Sequence, residues 1–154
     1  MKKGLLILIG LLFVTSFTSC KKEEKVAEPT KEELLQKHIW KGVEAVAYDA
    51  SGNETGRQAI PQFEMLFAVN NDYFLYDSGD LDGYGDWIYV KGDPDIIKLT
   101  PSSSRPAPSI LKVGDINFRS PLQTMDLKVD KLTENDFVFY IESNGNKYVY
   151  TLKK

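Results

Sequence analysis

From Ile39 to the C-terminus the chain alternates apolar and polar side chains in short runs, and nearly every run stops at Asn, Asp, Gly, Ser or Pro. A period of two places every second side chain on one face of a strand. The connections Ser51-Gly52-Asn53, Asn70-Asn71-Asp72, Lys91-Gly92-Asp93-Pro94 and Ser143-Asn144-Gly145-Asn146 have hairpin length, and their Asn, Asp and Gly residues tolerate the positive φ that tight turns demand. Strands joined in this way are antiparallel neighbours. The runs that read as strands are Ile39–Tyr48, Gln62–Val69, Tyr73–Asp77, Asp86–Lys91, Ile96–Thr100, Ile110–Phe118, Thr124–Leu132, Phe137–Glu142 and Tyr148–Leu152. About eight strands in up-and-down order usually close on themselves, because closure removes the edges that template aggregation. The expected fold class is all-β, a single antiparallel up-and-down β-barrel.

Alternation also says what the barrel holds. Phe63, Met65, Phe67 and Val69 share a face, as do Leu127 and Val129, and these are expected to point inward. The run Phe137–Ile141 is apolar on both faces, which leaves its direction open. Ahead of the first strand, Thr30-Lys31-Glu32-Glu33 has the pattern of a capping box, and a short helix from Lys31 to about Lys37 presents Leu34 and Leu35 as a plug for the barrel. Thr100–Ser109 (TPSSSRPAPS) is expected to be an exposed, mobile loop.

The first thirty residues have a different character. Lys2 and Lys3 precede the apolar run Gly4–Val14, and small and polar residues then lead to Cys20, the sole cysteine of the chain. This is the anatomy of an export leader, and the run is well short of the roughly 20 residues that span a bilayer. Phe17-Thr18-Ser19-Cys20 resembles a lipobox, with Phe17 where Leu is commoner. A lone cysteine forms no internal disulfide, so Cys20 reads as a lipid attachment point. The expected organisation is residues 1–19 as leader, 20–30 as lipidated cysteine and flexible linker, and 31–154 as one domain. Lys21-Lys22-Glu23-Glu24 looks like a short signal for the cell surface and reads equally well as part of a soluble linker. The expected location is therefore an outer-membrane lipoprotein, on the periplasmic face or the cell surface. With 19 basic against 22 acidic residues and a net charge of −3, the chain lacks the basic footprint of a nucleic-acid binder.

Over Leu34–Lys154 the pattern resembles the lipocalin-like domain of small Bacteroidetes-type lipoproteins. Leu35–Gly42 (LQKHIWKG) looks like a helix followed by a Trp-opened strand. Gly85-Asp86-Trp87, within Gly79–Val90, looks like the family's Gly-x-Trp strand. Val129–Phe139 (VDKLTENDFVF) looks like its Leu-Thr-x-x-x-Phe turn into a late strand. His38 stands where true lipocalins carry a glycine two residues before the tryptophan. The resemblance implies a lipocalin-like barrel on a lipid anchor, with a cavity for a small apolar molecule.

Catalytic chemistry has little to work with. His38 is the single histidine, which restricts any Ser/His/Asp arrangement to it, and a multi-histidine or cysteine zinc site is excluded by count. It reads as a partly exposed junction residue. The run Asp77–Asp86 (DSGDLDGYGD) places Asp80, Asp82 and Asp86 at the third, fifth and ninth positions of a calcium loop, but Ser78 and Tyr89 fall where carboxylates belong. A Gly/Asp-rich connection is the plainer reading, and a hydrolase using these carboxylates ranks third. The expected function is a non-catalytic binding module. Either Trp40, Phe67, Trp87 and Phe139 line a cavity for an apolar ligand, or the interior is solid and exposed Tyr and Trp grip a glycan or an envelope protein.

Overall fold

The computed structural model describes residues 27–102 and 124–154. The expected leader, Cys20, the expected strand Ile110–Phe118 and most of the Pro/Ser-rich loop lie outside the described residues.

The capping box forms as its spacing requires. Thr30 Oγ1 accepts from the Glu33 amide at 3.2 Å, and the Thr30 amide donates to Glu33 Oε2 at 2.7 Å. This start supports α1 (Lys31–Lys37), which buries Leu34 and Leu35. Among the described residues nine strands follow: β1 (Ile39–Tyr48), β2 (Glu54–Ala59), β3 (Phe63–Phe67), β4 (Asp72–Asp77), β5 (Asp80–Val90), β6 (Asp95–Pro101), β7 (Met125–Leu132), β8 (Asp136–Ser143) and β9 (Asn146–Lys153). All are antiparallel to their neighbours, in the order β2-β1-β3-β4-β5-β6-β7-β8-β9, and β1 also pairs with β9. That last pairing closes β1 and β3 to β9 into an eight-stranded lipocalin-like barrel, with β2 as an extra strand.

β1 explains the extra strand. Along a single edge, Ile39–Lys41 pair with β3 and Glu44–Tyr48 pair with β2. Between them the chain turns a corner in which the Ile60 amide donates to the Val43 carbonyl at 3.1 Å and the Phe63 amide to the Ile60 carbonyl at 3.1 Å. Gly42 faces this corner so closely that a Cβ there would lie 2.3 Å from the Ile60 carbonyl oxygen. β2 is exposed on both faces except at Gly56, and its sequence ETGRQA has no apolar alternation, so the hydrophobic pattern did not announce it. Arg57 binds Glu44 at 2.5 Å and Glu54 at 2.9 Å, which places charge on an edge strand.

Two further expectations are corrected. β5 begins at Asp80 rather than Asp86, because Ser78 (φ 53°) and Gly79 (φ 87°) alone turn the chain between β4 and β5. Val69 does not point inward: β3 ends at Phe67, and Val69 lies in the following turn, 80% exposed. The remaining inward assignments hold, and the direction of β8 is settled by Phe137, Phe139 and Ile141 being buried.

α1 marks one end of the barrel, beside the β3–β4, β5–β6 and β7–β8 turns. There Asp95 accepts from Lys31 of the helix, from Tyr89 Oη at 2.6 Å and from the Gly92 amide at 2.9 Å. These donors hold its carboxyl well below the usual carboxylate range, while burial and the Asp95 charge push the Tyr89 phenol up. The opposite end carries the β1–β2, β4–β5 and β8–β9 turns. No helix among the described residues is long and apolar enough to cross a membrane.

Candidate functional site

The expected lining residues do come together, but on one another. Phe67 and Trp87 meet edge to face with ring centroids 5.2 Å apart. Phe137 joins the remainder: its ring lies 5.5 Å from Trp40, 6.0 Å from Phe67 and 4.9 Å from Phe139. Phe139 then stacks on Tyr150 at 5.1 Å. Separations of this size are those of packed aromatic pairs. A side chain bordering a water-sized void would keep accessible surface there, yet Trp40, Phe67 and Phe139 keep none and Trp87 keeps 3%. The four residues therefore fill the interior where they meet. The indole N–H groups are satisfied as well, Trp40 by the Leu35 carbonyl at 3.0 Å and Trp87 by the Ala68 carbonyl at 3.2 Å. Both tryptophans being buried, neither serves as a surface platform for sugar. Tyr76 and Tyr84 lie on the outer face, whereas Tyr89 is tied to Asp95.

Asp80, Asp82 and Asp86 are distributed along β5. Asp86 lies six positions after Asp80 along extended chain, roughly 20 Å at strand rise, whereas calcium ligands converge on one point and paired glycosidase carboxylates stand within about 10 Å. Asp82 sits at a bulge opposite Leu75 and Tyr76. Among the described residues no group of three or more His, Cys, Asp and Glu is arranged to hold a metal ion. Like charges face each other across strands at Asp72/Asp86 and Asp77/Asp80.

His38 keeps 18% of its side-chain surface, lies edge-on to Trp40 at 5.6 Å, and has Nε2 3.6 Å from Glu134 Oε1. Lys37 binds the same carboxylate. An imidazole held between an indole and a carboxylate belongs to a junction that fixes α1, not to a nucleophile and base couple.

A surface feature that sequence reasoning did not single out lies at the end away from α1. The β1–β2 and β8–β9 turns flank a shallow depression of about 850 Å³, bordered by Tyr48, Asp49, Glu142, Asn144, Asn146 and Lys147. Its rim is well fixed. Asp49 Oδ1 accepts from the amides of Ser51 at 2.9 Å and Asn53 at 2.8 Å, and Oδ2 accepts from Asn53 Nδ2 at 3.1 Å, bonds that lower the Asp49 pKa. Lys147 Nζ lies 4.0 Å from the Tyr140 ring centroid, and Lys128 binds Glu142 at 2.5 Å, which raises the lysine pKa. Charged and amide groups beside a tyrosine suit a polar partner. The sequence signalled Asn144 and Asn146 only as turn formers and Tyr48 and Glu142 only as strand ends.

No family model and no curated protein matches the chain. Among solved structures, the chain is similar to a lipocalin-like protein from Bacteroides uniformis ATCC 8492, with 15% identity over 73% of this chain and 96% of that one and a TM-score of 0.44. It is also similar to an uncharacterized protein from Bacteroides eggerthii DSM 20697, with 18% identity over 75% of this chain and 96% of that one and a TM-score of 0.46. The fold rests on this chain's own strand order and register.

Proposed function

We propose that this protein is a lipid-anchored, outer-membrane protein whose lipocalin-like barrel is a non-catalytic interaction module. Its partner, a glycan or another envelope protein, is polar and is met on the outer surface at the end away from α1. The observation that carries this reading is the aromatic packing of the interior: Trp40, Phe67 and Phe139 have no accessible surface with which to touch an apolar guest. A carrier of small apolar molecules would need that volume empty. The depression between the β1–β2 and β8–β9 turns offers instead hydrogen-bonding groups on a rigid frame. The lipobox-like Phe17–Cys20 and the single cysteine support the anchor.

The test pairs a glycan array and an envelope pull-down with a variant carrying Tyr48→Ala and Lys147→Ala. A hit weakened about tenfold or more by the double change, the scale expected for interface anchors, supports the reading. Fatty acid co-purifying with the protein in native mass spectrometry, together with quenching of Trp fluorescence by added fatty acid, overturns it in favour of a carrier.

A further inference from the structure

Large apolar side chains are unevenly exposed on this barrel. Among the described residues they are Ile39 (47%), Val43 (41%), Val69 (80%), Ile88 (54%) and Val90 (37%), and all but Val43 gather at the end that bears α1. Ile39 opens β1 directly after the helix, Val69 lies in the β3–β4 turn, and Ile88 and Val90 close β5. They are neighbours across the sheet. Ile39 pairs with Leu66, close before Val69, and the Asn71 carbonyl accepts from the Trp87 amide at 2.7 Å, which sets the Val69 turn beside Ile88. Val90 faces Ile96 on the next strand. Exposed charges stand at both ends, among them Lys31, Glu32, Glu33, Lys91 and Asp93 near the rim and Glu54, Asp80 and Glu142 opposite, so it is the exposed apolar side chains that set the α1 end apart.

The chain that leads to Cys20 leaves from this same apolar end. Thr30 lies ten positions after Cys20, a span of at most about 35 Å even when fully extended. A lipid at Cys20 therefore holds the apolar end near the bilayer at a high effective concentration, where a weak contact suffices to fill a docked state.

We propose that the rim formed by Ile39, Val69, Ile88 and Val90 is a membrane-docking face that dips into the lipid interface and stands the barrel upright, with the opposite end directed away from the bilayer. This proposal rests on the lipid-anchored reading of Cys20. Asp72 and Asp86 flank the rim and the chain is net negative, so the surface it fits is zwitterionic rather than anionic.

The full chain, processed by its producing cell and reconstituted into vesicles of phosphatidylethanolamine and phosphatidylcholine, provides the test. A lipidated Cys20 has no free thiol, so a single cysteine introduced as Lys91→Cys at the α1 end or Ser51→Cys at the far end takes a fluorophore alone. Lipids brominated in their acyl chains are expected to quench the Lys91→Cys label several-fold more than the Ser51→Cys label. Adding Val69→Asp and Ile88→Asp, both at exposed positions, is expected to abolish the difference. Equal quenching at the two ends, or a difference that survives the aspartates, overturns the docking face. Intact mass reads the anchor independently. If Cys20 carries no lipid, the anchored reading fails, and the same two labels in a Cys20→Ser background with vesicles added then decide docking by the same criterion.

Discussion

The indole N–H of Trp40 donates to the carbonyl of Leu35 at 3.0 Å, reaching from the first strand of the barrel back across the junction to α1. Leu35 is itself wholly buried, so this bond satisfies a helix C-terminal carbonyl that has little access to water. Helix and barrel are joined through one ring, which also packs on Phe137 and His38.

Trp40→Phe keeps a ring but removes the donor, leaving the Leu35 carbonyl unsatisfied. The expected loss is about 1–3 kcal/mol, read as a lower urea midpoint at unchanged slope. A midpoint equal to that of the parent protein would mean that the junction is held by other contacts.

Gly42→Ala is expected to destabilise the barrel by at least about 1–3 kcal/mol, because the new Cβ meets backbone, the Ile60 carbonyl oxygen, at 2.3 Å. Gly56→Ala is the control: nothing lies within 4 Å of its Cβ, and its φ is not in the left-handed region. Thermal melts of the two variants should separate clearly, and equal melting would contradict the tight β2–β3 corner.

Asp95→Asn tests the cluster that pins α1 to β6. The folded state depresses the Asp95 pKa, so its contribution to stability is fully present above the unfolded-state value near 3.9 and is lost as pH falls towards the lower folded value. Asp95→Asn should therefore cost about 1–3 kcal/mol at pH 7, and the gap to the parent protein should narrow as the pH of the unfolding titration is lowered below 4. A gap independent of pH would show that the carboxylate charge is not what holds the cluster.

Calcium is expected to leave the melting temperature unchanged. Asp80, Asp82 and Asp86 are spread along an extended strand and do not converge. Asp86→Lys, which replaces a like-charge pairing with Asp72 by an opposite one, should raise stability by about 0.2–1 kcal/mol. A calcium-dependent rise in melting temperature abolished by Asp82→Asn would reverse this assignment.

Most of the barrel was legible in the sequence because strand period and turn chemistry are both local. The hairpins at Asn71 and Asn144-Gly145 fall where Asn and Gly tolerate positive φ, and the capping box at Thr30 was readable from four residues. β2 was not legible. Glu54–Ala59 buries almost nothing, so no alternation records its pairing, which depends on where β1 projects beyond β3. Asp80–Gly85 was read as a connection because Gly and Asp are poor strand formers, yet β4 and β6 supply partners on both sides. The site was less legible than the fold. Alternation sent Phe67 inward but left the strand of Phe139 undecided, and although Trp40, Phe67, Trp87 and Phe139 are all buried, whether inward residues enclose space or consume it depends on Phe137 and on three-dimensional packing. The depression flanked by Asp49 and Lys147 is assembled from turns nearly a hundred residues apart, which no local pattern reports.

The pairing of β1 with β9 runs from Lys41↔Lys153 to Tyr48↔Lys147, so the first strand of the sheet waits for the last. Until the final segment has been synthesised and freed, Ala45, Val46 and Ala47 have no C-terminal partner to cover them. Closure is therefore a late event of high sequence separation, slow by comparison with hairpin formation. A chain that stops short of Tyr148 is left as an open ribbon with an apolar flank, a natural substrate for proteolysis.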